Sequence, residues 1–136
     1  MRRSTTSVLI VDASVLAPVV VDGGADGRRC RARLRGEIVV GPDLLRVEVI
    51  SMIRRHLRAH RLTRGQAAAA IDDLLELPIR VLPTAPLLHR VWELRDNMSA
   101  YDACYVALAE VVDAPLLTAD RRLANAPGMR DRVEVI

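Results

Sequence analysis

The run Ser7–Asp12 (SVLIVD) is apolar from its second position until its last, with no polar alternation. That pattern predicts a strand buried on both faces. A short helix is expected from Ser14, and an arginine-rich one over about 25–35. Glu37–Val40 (EIVV) reads as a second strand, closed by Gly41-Pro42. Between Asp43 and about Arg61, Leu45, Val49, Met52 and Ile53 recur at helical spacing. Thr63-Arg-Gly-Gln66 is a capping-box start for a further helix that ends at Leu77, before Pro78. Ile79–Leu82 is a third strand, and Thr84 opens a helix to about Asp96. Ser99 opens another to about Val112, almost wholly apolar from Ala103 to Ala109 and therefore buried. Pro115–Thr118 (PLLT) and Val133–Ile136 complete the strands. Strand and helix alternate throughout, which predicts an α/β fold: an α/β/α sandwich around a central, mostly parallel sheet of about four to five strands. With 136 residues and no linker or repeat, one domain over 1–136 is expected.

Composition narrows the class. Half the residues are hydrophobic (51%), which excludes a disordered chain. All 20 basic residues are arginine, against 17 acids, so the net charge of +3 excludes a polybasic tail protein. It allows an anionic partner where the two signs are segregated in space. Cys30 and Cys104 form neither a disulfide framework nor a CxxC site, which suits a reducing cytoplasm. Arg2-Arg3 ahead of Val8–Val21 resembles a signal peptide, but Asp12 interrupts the apolar stretch and Pro18 is expected to break it as a helix. No run reaches the roughly 18 apolar residues of a membrane span, so no membrane association is expected.

In open parallel sheets, ligands gather beyond the carboxyl ends of the strands. Asp12 ends the first strand, and Thr118-Ala119-Asp120 follows the fourth. Each acid can be read as a helix cap or as a ligand. Glu48 borders the apolar stripe of its helix, where a carboxylate must be paired, hydrated or metal-bound; Arg55 lies within reach. Asp102 stands in the first turn of the helix opened by Ser99, near the same sheet edge. If the four converge, two carboxylates about 5 Å apart repel by about 3 kcal/mol at an effective dielectric near 20. A hard divalent cation relieves this, and an all-oxygen donor set favours Mg²⁺ or Mn²⁺ over Zn²⁺. His56, His60 and His89 show no such ligand spacing with the acids.

Four segments in this order resemble a PIN domain: Val-Asp12-Ala-Ser14, Val-Glu48, Tyr-Asp102-Ala and Leu-Leu-Thr118-Ala-Asp120-Arg-Arg-Leu. More narrowly, the chain is similar to the VapC ribonuclease toxins of bacterial VapBC toxin–antitoxin pairs. The stretch from Leu94 to Glu110 is the most specific part. The resemblance implies a metal-dependent endoribonuclease whose acidic quartet is Asp12, Glu48, Asp102 and Asp120. It implies Mg²⁺ or Mn²⁺ as cofactor and a metal-activated water that leaves a 5′-phosphate and a 3′-hydroxyl. Ser14 and Thr118 match the hydroxyl positions that support the metal site, and Asn97 matches the loop before the Asp102 helix. A homodimer and a cognate VapB-type antitoxin, seated over the acidic groove, are implied as partners beside RNA.

Arginines are expected to rim the groove. Arg54, Arg58 and Arg61 lie opposite the apolar stripe of the long helix and are candidates for RNA phosphates, although a solvated face has the same pattern. With only three aromatics, base stacking is not expected to dominate; Trp92, Tyr101 and Tyr105 are expected in the core or at a dimer contact, and Glu110 at the surface. Two other readings remain: a non-catalytic PIN-fold module binding RNA or protein, and a Mg²⁺-dependent phosphohydrolase on a small ester. A receiver domain fits poorly, because the first strand does not end in an acidic pair and the chain has no lysine.

Overall fold

The computed structural model describes residues 7–129 and 131–136. The Arg2-Arg3 segment, on which the signal-peptide resemblance depends, lies outside the described residues. Among these residues, five strands, β1 (Val8–Val11), β2 (Ile38–Pro42), β3 (Ile79–Leu82), β4 (Leu116–Thr118) and β5 (Val133–Val135), form one sheet in the order β3-β2-β1-β4-β5. All four pairings are parallel, so the sheet is wholly rather than mostly parallel. Leu9, Ile10 and Val11 are all buried, as a central strand covered on both faces requires. The edge strand β3 is largely exposed.

Among the described residues, seven helices flank the sheet: α1 (Ala13–Val21), α2 (Ala25–Leu34), α3 (Leu45–Arg58), α4 (Arg64–Glu76), α5 (Leu88–Glu93), α6 (Ala100–Val112) and α7 (Arg121–Ala124). Helices α1 to α4 pack on one another, while α5 packs on α6. Most starts follow the expected chemistry. Thr63 and Gln66 close the full capping box of α4, and the Ser99 hydroxyl receives the Asp102 N–H at the head of α6. Three expectations differ. Helix α1 continues through Pro18, because proline forfeits a single intrahelical bond while Val15, Leu16 and Ala17 stay buried. The helix expected over 84–96 is split into a 3-10 turn at Ala85–Leu87, holding Pro86, and the short α5. The four-residue α7 carries too little periodicity to be foreseen.

The joints are local. Gly36, with φ +78°, makes the left-handed turn that leads from α2 into β2, a conformation a side chain disfavours. Arg33 forks onto Glu134 at 2.7 and 2.8 Å and ties α2 to β5. That guanidinium holds Glu134 below the usual carboxylate range. Glu110 pairs with Arg90 at 2.9 and 3.0 Å rather than standing free in solvent. Among the described residues, no helix is long and apolar enough to cross a membrane.

The strand order places the site. The chain builds outward from β1 through β2 to β3, then returns to the far side of β1 to lay down β4 and β5. The direction of winding therefore reverses between β1 and β4, and a crevice opens beyond the carboxyl ends of those two strands. Asp12 follows β1 directly, and Asp120 follows β4 by two residues.

Candidate metal centre

Asp12 is both a cap and a member of the crevice. It is 8% exposed and caps α1 by accepting the Ser14 N–H at 3.1 Å. The Ser14 hydroxyl donates to the same oxygen, Oδ1, at 2.6 Å, and Thr118 Oγ1 donates to Oδ2 at 2.5 Å. The two hydroxyls in turn accept backbone N–H groups, Ser14 Oγ from Ala119 at 2.9 Å and Thr118 Oγ1 from Asp120 at 3.0 Å. The start of α1 and the end of β4 are thus stitched together around one carboxylate. Burial pushes Asp12 above its ordinary pKa, opposed by the hydrogen bonds from Ser14 and Thr118.

Glu48 projects from α3 and is half-buried. Its Oε1 accepts the hydroxyl of Tyr105, which is 2% exposed. Tyr105 was expected in the core or at a dimer contact; it is a core residue whose polar tip holds a site carboxylate. Burial raises the Glu48 pKa, the Tyr105 bond opposes this, and the charges of Asp12 and Asp102 raise it further. Burial, then the Glu48 bond, keep Tyr105 protonated. Glu48, Arg55 and Tyr101 line a hollow of about 330 Å³.

Asp102 and Asp120 share a neighbouring cleft of about 400 Å³ with Asn97, Ser99 and Arg122. Burial raises Asp102, and the charge of Asp120 raises it further. Asp120 behaves oppositely: the Arg122 side chain holds it below its ordinary value, through bonds from Nε at 3.2 Å and Nη2 at 3.0 Å.

Repulsion therefore links Asp12 to Glu48, Glu48 to Asp102 and Asp102 to Asp120, so the four predicted acids act on one another. They are not, however, drawn together as ligands. Among the described residues, no group of three or more His, Cys, Asp or Glu side chains is arranged to hold a metal ion. The hydrogen bonds show why: Asp12 is turned to its hydroxyls, Glu48 to Tyr105 and Asp120 to Arg122. The donor chemistry still fits a hard divalent cation, because every candidate ligand is a carboxylate or hydroxyl oxygen and, among the described residues, Asp12, Glu48 and Asp102 form no ion pair.

The pattern of the PIN domain family matches residues 9–129, spanning both acid-tipped strands and both acid-bearing helices. The chain belongs to the PIN domain family. Within it, this PIN domain is 38% identical over 128 residues to Ribonuclease VapC1 of Mycobacterium tuberculosis, covering 93% of this chain and 96% of the relative. Solved structures share its fold, among them the following two. One is VapC20 of Mycobacterium tuberculosis, described as a sarcin-ricin loop cleaving toxin, with TM-score 0.63 and 22% identity over 82% of this chain and 89% of that one. The other is VapBC2 of Rickettsia felis bound to a DNA fragment from its promoter, with TM-score 0.67 and 11% identity over 94% of this chain and 98% of that one.

The remaining candidates have the following positions in this PIN domain. Asn97 lines the cleft beside Asp102. Arg54, Arg58 and Arg61 are exposed, and Arg55 is the arginine of α3 that lines the hollow beside Glu48. Trp92 is 67% exposed under the Arg95 guanidinium, 4.6 Å from the ring centre, so it is not a core residue. Tyr101 is likewise exposed. Sequence reasoning missed Tyr105 and Arg122 as partners of the acids. The signal for Tyr105 was its position three residues after Asp102 on α6, which places both on one helix face.

Proposed function

We propose that this protein is the toxin of a type II toxin–antitoxin pair, an endoribonuclease that depends on Mg²⁺ or Mn²⁺. The observation that carries the reading is the coupled quartet Asp12, Glu48, Asp102 and Asp120 at the strand-order reversal. Kinship with VapC ribonucleases supports RNA as the substrate. The four carboxylates would hold the cation, with Ser14 and Thr118 orienting Asp12. When bound, such an ion activates water and offsets charge on the attacked phosphate. The chain's own residues do the rest. Tyr105 would fix one oxygen of Glu48 and leave the other free to serve as a ligand, Asn97 would offer an amide to the substrate, and Arg54, Arg58 and Arg61 would attract phosphates.

The partner we propose is a VapB-type antitoxin, in keeping with the VapBC assembly whose toxin-like fold this chain shares. A homodimer acting on cytoplasmic RNA completes the reading. The test is induction in bacteria followed by sequencing of RNA ends. New 5′-phosphate ends at a few sites, with growth arrest relieved by Asp102→Asn, are expected. An unchanged RNA-end profile on induction of folded wild-type protein contradicts it.

A further inference from the structure

Among the described residues, Arg122 is the one cation lining the acidic cleft, and it makes a three-point contact with a single residue. Its backbone N–H reaches Asp120 Oδ1 at 3.0 Å, its Nε reaches the same oxygen at 3.2 Å, and its Nη2 reaches Oδ2 at 3.0 Å. Two of these bonds come from a side chain that is 91% exposed, so no packing holds the guanidinium there. Among the described residues it has no other hydrogen-bond or ion-pair partner. The same fork that fits a carboxylate fits a phosphate.

Resting on the nuclease reading above, we propose that Arg122 is a phosphate-contacting residue that Asp120 keeps engaged until a divalent cation takes the carboxylate. The argument is one of competition within one cleft. Asp102 and Asp120 face the same space as Arg122, and their mutual repulsion is only partly offset by one exposed guanidinium. A doubly charged ion between the two carboxylates offsets both at once and needs Asp120 oxygens that the fork now occupies. Arg122, displaced, stays within a side chain's length of the same cleft. There an incoming phosphodiester is the complementary anion. The guanidinium thus serves first as a stand-in for the cation and then as a positioning group for the RNA.

The test compares wild type, Arg122→Gln and Arg122→Lys. With Mn²⁺ alone, followed calorimetrically, Arg122→Gln removes the competitor and binds the ion about two- to fivefold more tightly, as expected for loss of an exposed ion pair. With a fluorescein-labelled 12-mer uridine RNA, the salt dependence of binding is measured in Ca²⁺ and in EDTA. Arg122→Gln lowers the log–log slope by about 1 in Ca²⁺, and leaves it unchanged in EDTA where Asp120 already occupies the guanidinium. Arg122→Lys, which keeps the charge, restores the slope in Ca²⁺. An equal drop in both conditions, or none in Ca²⁺, overturns the assignment. Wild type that cuts RNA in Mn²⁺ while the Arg122→Gln slope stays unchanged in Ca²⁺ sinks only the role of Arg122. Wild type that leaves RNA uncut in Mn²⁺ sinks the nuclease reading and this inference with it.

Discussion

The Tyr105 hydroxyl donates to Glu48 Oε1 and so joins α6 to α3 through a site carboxylate. The donor is almost wholly buried, so the bond cannot be replaced by bulk water without repacking. Tyr105→Phe keeps the ring and removes only the tether. Cleavage is expected to fall roughly 10- to 100-fold, the usual cost of losing a group that orients a metal ligand. The melting temperature should change little. Full activity in Tyr105→Phe contradicts the positioning role.

A second consequence concerns Asp12. Thr118 is fully buried and its hydroxyl satisfies Oδ2 of a carboxylate that is nearly so. Thr118→Val keeps the shape but leaves Oδ2 without that partner. Urea unfolding should show a loss of about 1–3 kcal/mol, the cost of an unsatisfied buried acceptor. Ser14→Ala should be milder in its effect on folding, because the backbone N–H of residue 14 still donates to Asp12 Oδ1.

The pKa directions predict an inverse relation between charge and stability. Asp102 is raised above its unfolded value near 4, so the native state binds this proton more tightly than the unfolded state does. Its ionisation therefore opposes folding as pH rises from the unfolded value through the folded one. In EDTA at pH 7.5, Asp102→Asn should melt above wild type. The gap should close as pH falls below the unfolded value. Added Mg²⁺ should raise the wild-type melting temperature more at pH 7.5 than at pH 5. A variant less stable than wild type at pH 7.5 in EDTA counts against the repulsion.

Much of this arrangement was readable from residue order. A continuous apolar run reports burial on both faces, so β1 and the acid at its end were visible at once. Asp102 was placed by the Ser99 cap, and Glu48 by its position on the border of an apolar stripe. What stayed hidden depends on contacts across the fold or on very short elements. The Tyr105–Glu48 bond spans 57 residues, and a tyrosine in an apolar helix looks like any core residue until its partner is known. The Arg122–Asp120 pair spans two residues but rests on α7, whose four residues show no helical period. The bond from Thr118 to Asp12 arises only because β1 and β4 are neighbours, which strand order alone reveals.

The exposed arginines of α3 give a separable expectation. Arg58 is exposed near the end of the helix, away from the buried Leu45, Val49 and Ile53. Arg58→Glu should weaken RNA binding similarly across sequences and reduce the salt slope, with the Mn²⁺ affinity unchanged. Unaltered RNA binding would identify that face as simply solvated.

The central claim is that the quartet at the strand-order reversal makes a metal-dependent ribonuclease. Its most direct measurement is cleavage of total RNA by the purified protein, wild type and Asp102→Asn side by side, in Mn²⁺ and in EDTA. The account predicts discrete cleavage by wild type in Mn²⁺, none in EDTA, and none by the folded Asp102→Asn protein in either. Cleavage by Asp102→Asn at the wild-type rate, or undiminished cleavage in EDTA, contradicts it.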